Sequence, residues 1–528
     1  MSEILELARF DRAETYERPV VLPFATGEQK ESHSTFAQSR KNGHAPSISL
    51  PLIKKLCEAL NSQGISYCHW KSNWQLDRSL NGHGDLDLLV SSASARQFIA
   101  LVCDLGFIQA VPASNEERCG ITHFYGWDSR AEKFIHLHVY FRLLLGHELT
   151  TNYHLPIEDL FLRSVSSEGL VPVPQAELEL IVFVLRKVLG FWPIEAIVRQ
   201  IVAGRSDLNK TARELDHLEA RTDRARVHQL LERIVPEITI SFFERCLESL
   251  RLESSLWHRS ITALQLKRRL TGYTCRHPYV NAILQWWRML NDRLRERLVG
   301  RRFVTGGLLT ALVGGDGSGK TTAVAALTSW LDQDFAVRRF HFGKPRRSLL
   351  TLTVSVALKM RRLLMPAAAD AGDMENGSAQ HPGYLHLLRW TCAARDRYRT
   401  YLNARQFANQ GGIAISDRYL LPNINLMDAP NIAQTLEQTK LTWLSKALLQ
   451  IENGYYRRIL PPDLLLVLRL DPAIAVSRKT SEPEHHVRPR SQEVWEADWS
   501  DTPAQLVDAS QSPEKVLADL RELVWQRI

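Results

Sequence analysis

Eight consecutive residues constrain this chain more than any other stretch: Gly314, Gly315, Asp316, Gly317, Ser318, Gly319, Lys320 and Thr321. Two glycines bracket four residues and are followed by Lys-Thr, the spacing of a phosphate-holding loop. An apolar run, Leu308 to Val313, precedes it and suits a buried parallel strand. After it, Val324, Leu327 and Leu331 recur at helical spacing, joined by Ala323 and Trp330. A phosphate chain needs several backbone N–H groups converging on it, and glycine lets the backbone curl that closely. The helix that follows points its positive end at the anion. Lys320 would neutralise the β- and γ-phosphates, and Thr321 would offer its hydroxyl to Mg²⁺. The stretch from Gly314 to Thr322 is therefore expected to bind ATP with Mg²⁺, Thr322 included.

A loop of this kind requires a parallel sheet behind it, so the fold class expected is α/β. From Phe303 to the end, strands and helices alternate as in a doubly wound domain. "GGIAIS" (411–416), "DLLLVLRL" (463–470) and "QLVDAS" (505–510) read as its strands. Asp471-Pro472 and Ser512-Pro513 read as helix starts, each a capping side chain followed by proline. Ahead of this domain, 167–302 reads as a helical region and 47–166 as an α+β domain of short strands and helices. Residues 1–46 show no sustained period and read as a mobile tail.

The 528 residues are enough for several domains, and the net charge of +8 favours anionic partners. Part of that charge lies between Arg259 and Arg302, where eleven Lys and Arg face only Asp292 and Glu296. Such a run is a solvated helix face or a contact for nucleic acid or lipid. Seven cysteines without a CxxC pair read as reduced, buried thiols of a cytoplasmic protein. The longest apolar run, Leu349 to Leu358, is too short to span a bilayer and runs into Lys359, Arg361 and Arg362.

Several stretches of the last 224 residues, in order, carry a resemblance: "GGDGSGKTT", "AARDRYRTY" (393–401), "GGIAISDRY", "PPDLLLVLRLDPAIAVSRK" and "VDASQSPEKV". Together they resemble thymidylate kinase, one of the P-loop nucleoside monophosphate kinases, over about 305–528. The resemblance implies that Asp316 lies near the acceptor's sugar and that Arg397 faces the acceptor's base. It implies that Arg418 holds the acceptor's phosphate beside Tyr419, and that Asp417 orders Mg²⁺-bound water. Phosphoryl transfer needs alignment and positive charge rather than covalent help. The loop has no cation besides Lys320, so Arg478, Arg488 and Arg490, in the stretch that resembles the lid, are the candidates to supply more.

The chain also departs from that family. Where the family has an Arg-Glu-Pro-Gly-Gly-Thr-like loop, this sequence reads "HFGKPRRSLL" (341–350), and after Tyr419 it reads "LLPNINLMDAP". A polar insertion occupies Pro366 to Pro382. These are acceptor-pocket positions, so a nucleotide or other phosphorylated small molecule is expected as acceptor, with thymidylate itself a poor one.

In the front half, "CHWKSNWQLDRSLNGHGDLDLLV" (68–90) places Ser72 on a turn before a helix and then Asp85-Leu86-Asp87 on a strand. This resembles the nucleotidyltransferase superfamily, and the resemblance implies a metal shared by Asp85 and Asp87. The family's third carboxylate has no counterpart: "KFIHLHVYF" (133–141) offers His136 and His138 instead, and Lys71 stands where glycine is common. The leading reading is thus a kinase with a nucleotidyltransferase-like partner domain. Other readings are a nucleotidyltransferase whose P-loop half senses nucleotide, a kinase of a sugar acceptor, or a binding protein acting through the basic block. A homodimer is one arrangement open to any of them.

Overall fold

Two sheets organise the chain, and a two-residue strand ties one to the other. The computed structural model describes residues 49–528 apart from 113–119, 148–149, 167–168, 198–205, 278–279, 282, 285–286, 288–299, 344, 365–383, 422–423, 425–441 and 501. The expectations for the 1–46 tail, for Pro366–Pro382 and for most of the stretch after Tyr419 lie outside the described residues.

The front sheet contains β1 (Tyr67–His69), β2 (Leu86–Val90), β3 (Ile108–Val111), β4 (Ile121–Asp128), β5 (Lys133–Tyr140) and, further along the chain, β8 (Arg302–Phe303). Their order is β1-β2-β5-β4-β3-β8, and only β2 and β5 run parallel. A short hairpin of β6 (Leu144–Leu145) and β7 (Tyr153–His154) follows β5. The helix Ala176–Gly190 comes next and is buried along most of its length, which is why its sequence is apolar almost all round. Four further helices, Ser206–Glu219, Arg224–Ile234, Ile240–Leu250 and Leu256–Arg269, pack around it.

The rear sheet consists of β9 (Leu308–Gly314), β10 (Val337–Phe340), β11 (Ile413–Asp417), β12 (Leu464–Arg469) and β13 (Ala504–Asp508). All five are parallel, in the order β10-β11-β9-β12-β13. Every residue of the central strand β9 is buried, as its largely apolar sequence, broken only by Thr310, requires. The chain reverses its direction of travel across the sheet beside β9. Ligands of such sheets sit outside the carboxyl ends of the strands at that point. Both expected caps are present: Asp471 Oδ1 accepts from Ala473 N–H at 2.7 Å, and Ser512 Oγ accepts from Lys515 N–H at 3.3 Å. Each such cap is worth about 1 kcal/mol to its helix.

The expected boundary at 303 falls inside β8. Its residues pair with β3 of the front sheet, while Arg301 N–H donates to Asp334 O at 2.9 Å and Phe303 N–H donates to Gly411 O at 2.9 Å in the rear half. An aromatic core spans the same junction, with Tyr125, Trp127 and Phe134 of the front sheet against Trp330, Phe335 and Trp525 of the rear domain. Rings of this size each remove roughly 150–250 Å² from water, about 4–6 kcal/mol gross at 25 cal/mol/Å².

The thiols depart from expectation. Cys57, Cys68, Cys246 and Cys392 are buried, but Cys103 and Cys275 are exposed, on a helix end and a surface turn.

Candidate active site

The phosphate loop joins β9 to the helix Lys320–Leu331. Gly317 and Gly319 hold φ of +80° and +84°, a region that side chains avoid. Gly315 and Gly317 also have no room for a side chain. A Cβ on Gly315 would lie 2.7 Å from Ser491 Cα, and one on Gly317 would lie 2.7 Å from Ala475 O. The loop is thus pressed against the two helices that follow β12, Pro472–Arg478 and Glu484–Glu496. Ser318 Oγ donates to Gly315 O at 2.8 Å and braces the turn from inside. Thr321 and Thr322 lie exposed on the first helical turn.

Lys320 is buried, and its Nζ donates to Gly314 O and Gly315 O, each at 2.6 Å. Burial lowers its pKa to about 8, with the charges of Arg418 and Lys479 acting in the same direction and those of Asp316 and Asp417 against it. A buried ammonium whose hydrogen bonds go to neutral carbonyls gains strongly from an arriving anion.

Asp316 is also buried. Arg490 Nη1 donates to its Oδ2 at 3.1 Å and Lys479 Nζ lies 3.6 Å from its Oδ1. Burial alone would raise its pKa, but the Arg490 hydrogen bond and the charges of Lys479, Lys320 and Arg490 outweigh this and hold it low. Ser491 Oγ donates to Asp316 O at 3.1 Å, so side chain and backbone of this residue both bind the helix Glu484–Glu496. Of the three expected lid cations, the structure brings only Arg490 to the loop. Arg478 donates to Ala509 O at 2.9 Å, and Arg488 pairs with Glu484 one turn away on its own helix. Lys479 takes the place expected for Arg478. It lies just past the end of its helix, so helical spacing gave no hint of its direction.

Neighbouring β11 ends in Asp417, and the chain then turns sharply at Arg418, a non-glycine residue with φ of +94°. Such a conformation costs about 1–3 kcal/mol and clusters at functional sites. Arg418 N–H donates to Leu312 O at 3.1 Å and its carbonyl accepts from Ser416 Oγ at 2.5 Å, which holds the turn. His341 Nδ1 lies 3.1 Å from Asp417 O, and Tyr419 is buried with its ring against Phe342 and its hydroxyl donating to Leu460 O. Arg397 is buried on the helix Tyr384–Asn409, where it donates to Phe342 O at 3.2 Å and to Tyr456 Oη at 2.5 Å. Arg397, Phe342 and Tyr419 therefore line one side of the β11 end. Thr321 and Asp417 offer a hydroxyl and a carboxylate, the hard oxygen donors that suit Mg²⁺.

In the front sheet the turn at Ser72 is left-handed, with φ of +58°, and leads into short helical turns as expected. Each carboxylate of the expected metal pair already has a basic partner. Lys71 Nζ lies 2.8 Å from Asp87 Oδ1, and His138 Nδ1 lies 3.0 Å from the same oxygen. Asp85, half exposed, pairs with His136 Nδ1 at 2.7 Å. Parallel register of β2 and β5 sets Asp87 opposite His138, so the two histidines stand where a third acid was sought. Among the described residues no three His, Cys, Asp or Glu side chains are placed to hold a metal. Burial would raise the pKa of Asp87, but Lys71 and His138 hold it far below the carboxylate range, and Asp87 in turn holds Lys71 above the usual lysine value against its own burial. Burial brings His138 down to about 4. A cavity of about 670 Å³ opens beside this group, with Lys71, His138, Tyr140, Arg186 and Arg301 in its wall.

The basic block is only partly a solvated face. Arg259 is buried and donates to Arg251 O at 2.7 Å, Lys267 donates to Phe191 O at 3.2 Å, and Arg269 lies over the Phe242 ring. Arg288, Arg293, Arg295 and Arg297 lie outside the described residues. No described helix is long and apolar enough to cross a membrane.

No family model matches this sequence. A probable thymidylate kinase from Pyrobaculum aerophilum is 24% identical over 222 residues, which span 40% of this chain and 94% of that protein. The uncharacterized ATP-binding protein YghR of Escherichia coli K12 is 27% identical over 188 residues, 34% of this chain and 69% of its own length. Among solved structures, deoxyadenosine kinase from M. mycoides with bound dATP is similar with a TM-score of 0.25 and 16% identity, covering 40% of this chain and 97% of that one. The chain contains a P-loop nucleoside-kinase-like region.

Proposed function

We propose that this chain is an ATP-dependent phosphotransferase of the thymidylate kinase-like class. It transfers the γ-phosphate of ATP to a nucleoside monophosphate or a related phosphorylated acceptor. The observation that carries this reading is the geometry of the phosphate loop: Lys320 Nζ sits on Gly314 O and Gly315 O, and Arg490 and Lys479 are brought to Asp316 beside it. In this reading Lys320 exchanges the carbonyls of Gly314 and Gly315 for the triphosphate. Arg490 and Lys479 leave Asp316 and turn to the γ-phosphate, which frees the Asp316 carboxylate for the acceptor's sugar. Arg418 holds the acceptor's phosphate, and Arg397 and Tyr419 border its base. Mg²⁺ held by Thr321 and, through water, by Asp417 would neutralise the β- and γ-oxygens.

Incubating the full chain with γ-labelled ATP and a panel of nucleoside monophosphates and sugars tests the reading. Transfer to a nucleoside monophosphate is the expected result, with thymidine monophosphate turned over poorly. ATP binding without transfer to any acceptor would favour the sensing module, and transfer to a free sugar would replace the acceptor class. Nucleotidyl transfer by the front sheet is weakened by Lys71, whose ammonium already neutralises Asp87.

A further inference from the structure

A surface helix should turn its apolar side inward. The helix Leu349–Leu364 does so only in part: Val354 and Leu358 are partly buried on its inner side with Thr351 and Ser355, while a second apolar stripe stays outside. Its buried Thr351 donates from Oγ1 to Asp396 Oδ2 at 2.6 Å, and Ser355 Oγ donates to Thr351 O at 2.7 Å on the same side. Its outer side carries Leu349, Leu352, Val356 and Met360, which are 73%, 42%, 59% and 51% exposed. At 100° per residue these four fall within about 80° of one another, a single stripe along the helix.

The charges around the stripe say what would cover it. Arg346 and Arg347 stand exposed ahead of the helix and Lys359 stands exposed near its far end, where the sequence continues through Arg361 and Arg362. Both ends are therefore cationic. A second copy packed along this helix would set cation against cation at both ends, whether the two helices ran parallel or antiparallel. An anionic surface meets no such repulsion. Apolar side chains bordered by Lys and Arg match the requirements of a helix lying in the headgroup region of a bilayer.

We infer that the Leu349–Leu364 helix is a docking surface for an anionic lipid membrane, on which its apolar stripe beds between the headgroups. Flotation of the full chain with vesicles of phosphatidylcholine alone and of phosphatidylcholine with phosphatidylglycerol tests this. Binding is expected only to the phosphatidylglycerol vesicles, and it should weaken with salt. Val356→Asp should reduce it about tenfold or more, since an acid is pressed into an anionic surface. Lys359→Gln should reduce it about fivefold. Leu352→Ser serves as a milder second variant, and unchanged circular dichroism shows that each variant is folded. Equal binding to neutral vesicles overturns the proposal, as does undiminished binding of Val356→Asp, which would move the contact to the basic block around Arg268. Light scattering that shows a dimer split by Val356→Asp also overturns it, because the stripe would then cover a second copy.

Discussion

The two halves of the molecule each set a lysine, buried or partly buried, beside acidic residues, and they do opposite things with it. Lys320 in the phosphate loop bonds to neutral carbonyl oxygens, and burial has brought its pKa down to about 8. Lys71 in the front sheet sits on the Asp87 carboxylate at 2.8 Å and is held charged. One ammonium lacks a full counter-charge until an anion arrives; the other already has one. Burial of a lysine therefore does not identify a working site. The charge of its partner does, and by that measure Lys320 is poised for a phosphate while Lys71 already has its counter-ion.

The largest expected effect tests the satisfied lysine. Lys71→Met should cost about 3–5 kcal/mol of stability, because it leaves the buried Asp87 charge with only His138 beside it. Adding Asp87→Asn should recover most of it. Urea unfolding measures both, and a loss below about 1 kcal/mol for the single variant would mean that Asp87 does not depend on Lys71 and remains open to a metal. The second effect tests the poised lysine. Lys320→Met should lower turnover by about 10²–10³-fold, about 3–4 kcal/mol in the barrier, while urea unfolding shows stability unchanged or raised. Undiminished transfer from γ-labelled ATP in this variant would falsify the kinase reading.

Acid should separate the halves further. Burial lowers the folded pKa of His138 from 6.5 to about 4, so below neutrality the unfolded chain takes up a proton that the folded one refuses. Stability contributed by this group is full above pH 7 and is lost as pH falls through that window, by about 3 kcal/mol in total. His69, also lowered by burial, adds in the same direction. Unfolding followed by near-UV circular dichroism should show the fall, and His138→Gln should flatten it. The smallest effect is a fraction of a proton. Near pH 8.5 Lys320 is mostly neutral in the free protein and charged beneath a triphosphate. ATP binding should then take up roughly three-quarters of a proton at that pH and almost none near pH 6.5. Calorimetry in buffers of different ionisation enthalpy reads this, and uptake that persists in Lys320→Met would assign it to another group.

What the sequence made legible was local. The apolar run before Gly314, the glycines of the loop and the caps at Asp471 and Ser512 depend on neighbours within a few residues, and each stands where its pattern placed it. What it concealed depends on partners far along the chain. Arg478 and Lys479 are adjacent, yet one reaches the carbonyl of Ala509 and the other Asp316. The pairing of Lys71 with Asp87 needed β1 and β2 to be set side by side. The helix at Leu349 read only as a short apolar run, because the partner of its buried Thr351 is Asp396, on another helix.

Strand β8 has two residues, yet it belongs to both halves through its pairing with Ala110 and Val111 and its hydrogen bond to Gly411. An edge strand shared in this way makes melting collective: the front sheet cannot lose it without loosening the segment that leads into β9, and the reverse holds equally. Heat should therefore release the two sheets in a single calorimetric transition. A nucleotide at a hundred times its dissociation constant adds about 2.7 kcal/mol to whatever unfolds together with its site. That increment should appear as slowed amide exchange in β3 and β4, strands that touch no nucleotide, and its confinement to the rear sheet would show that β8 peels away before either half unfolds.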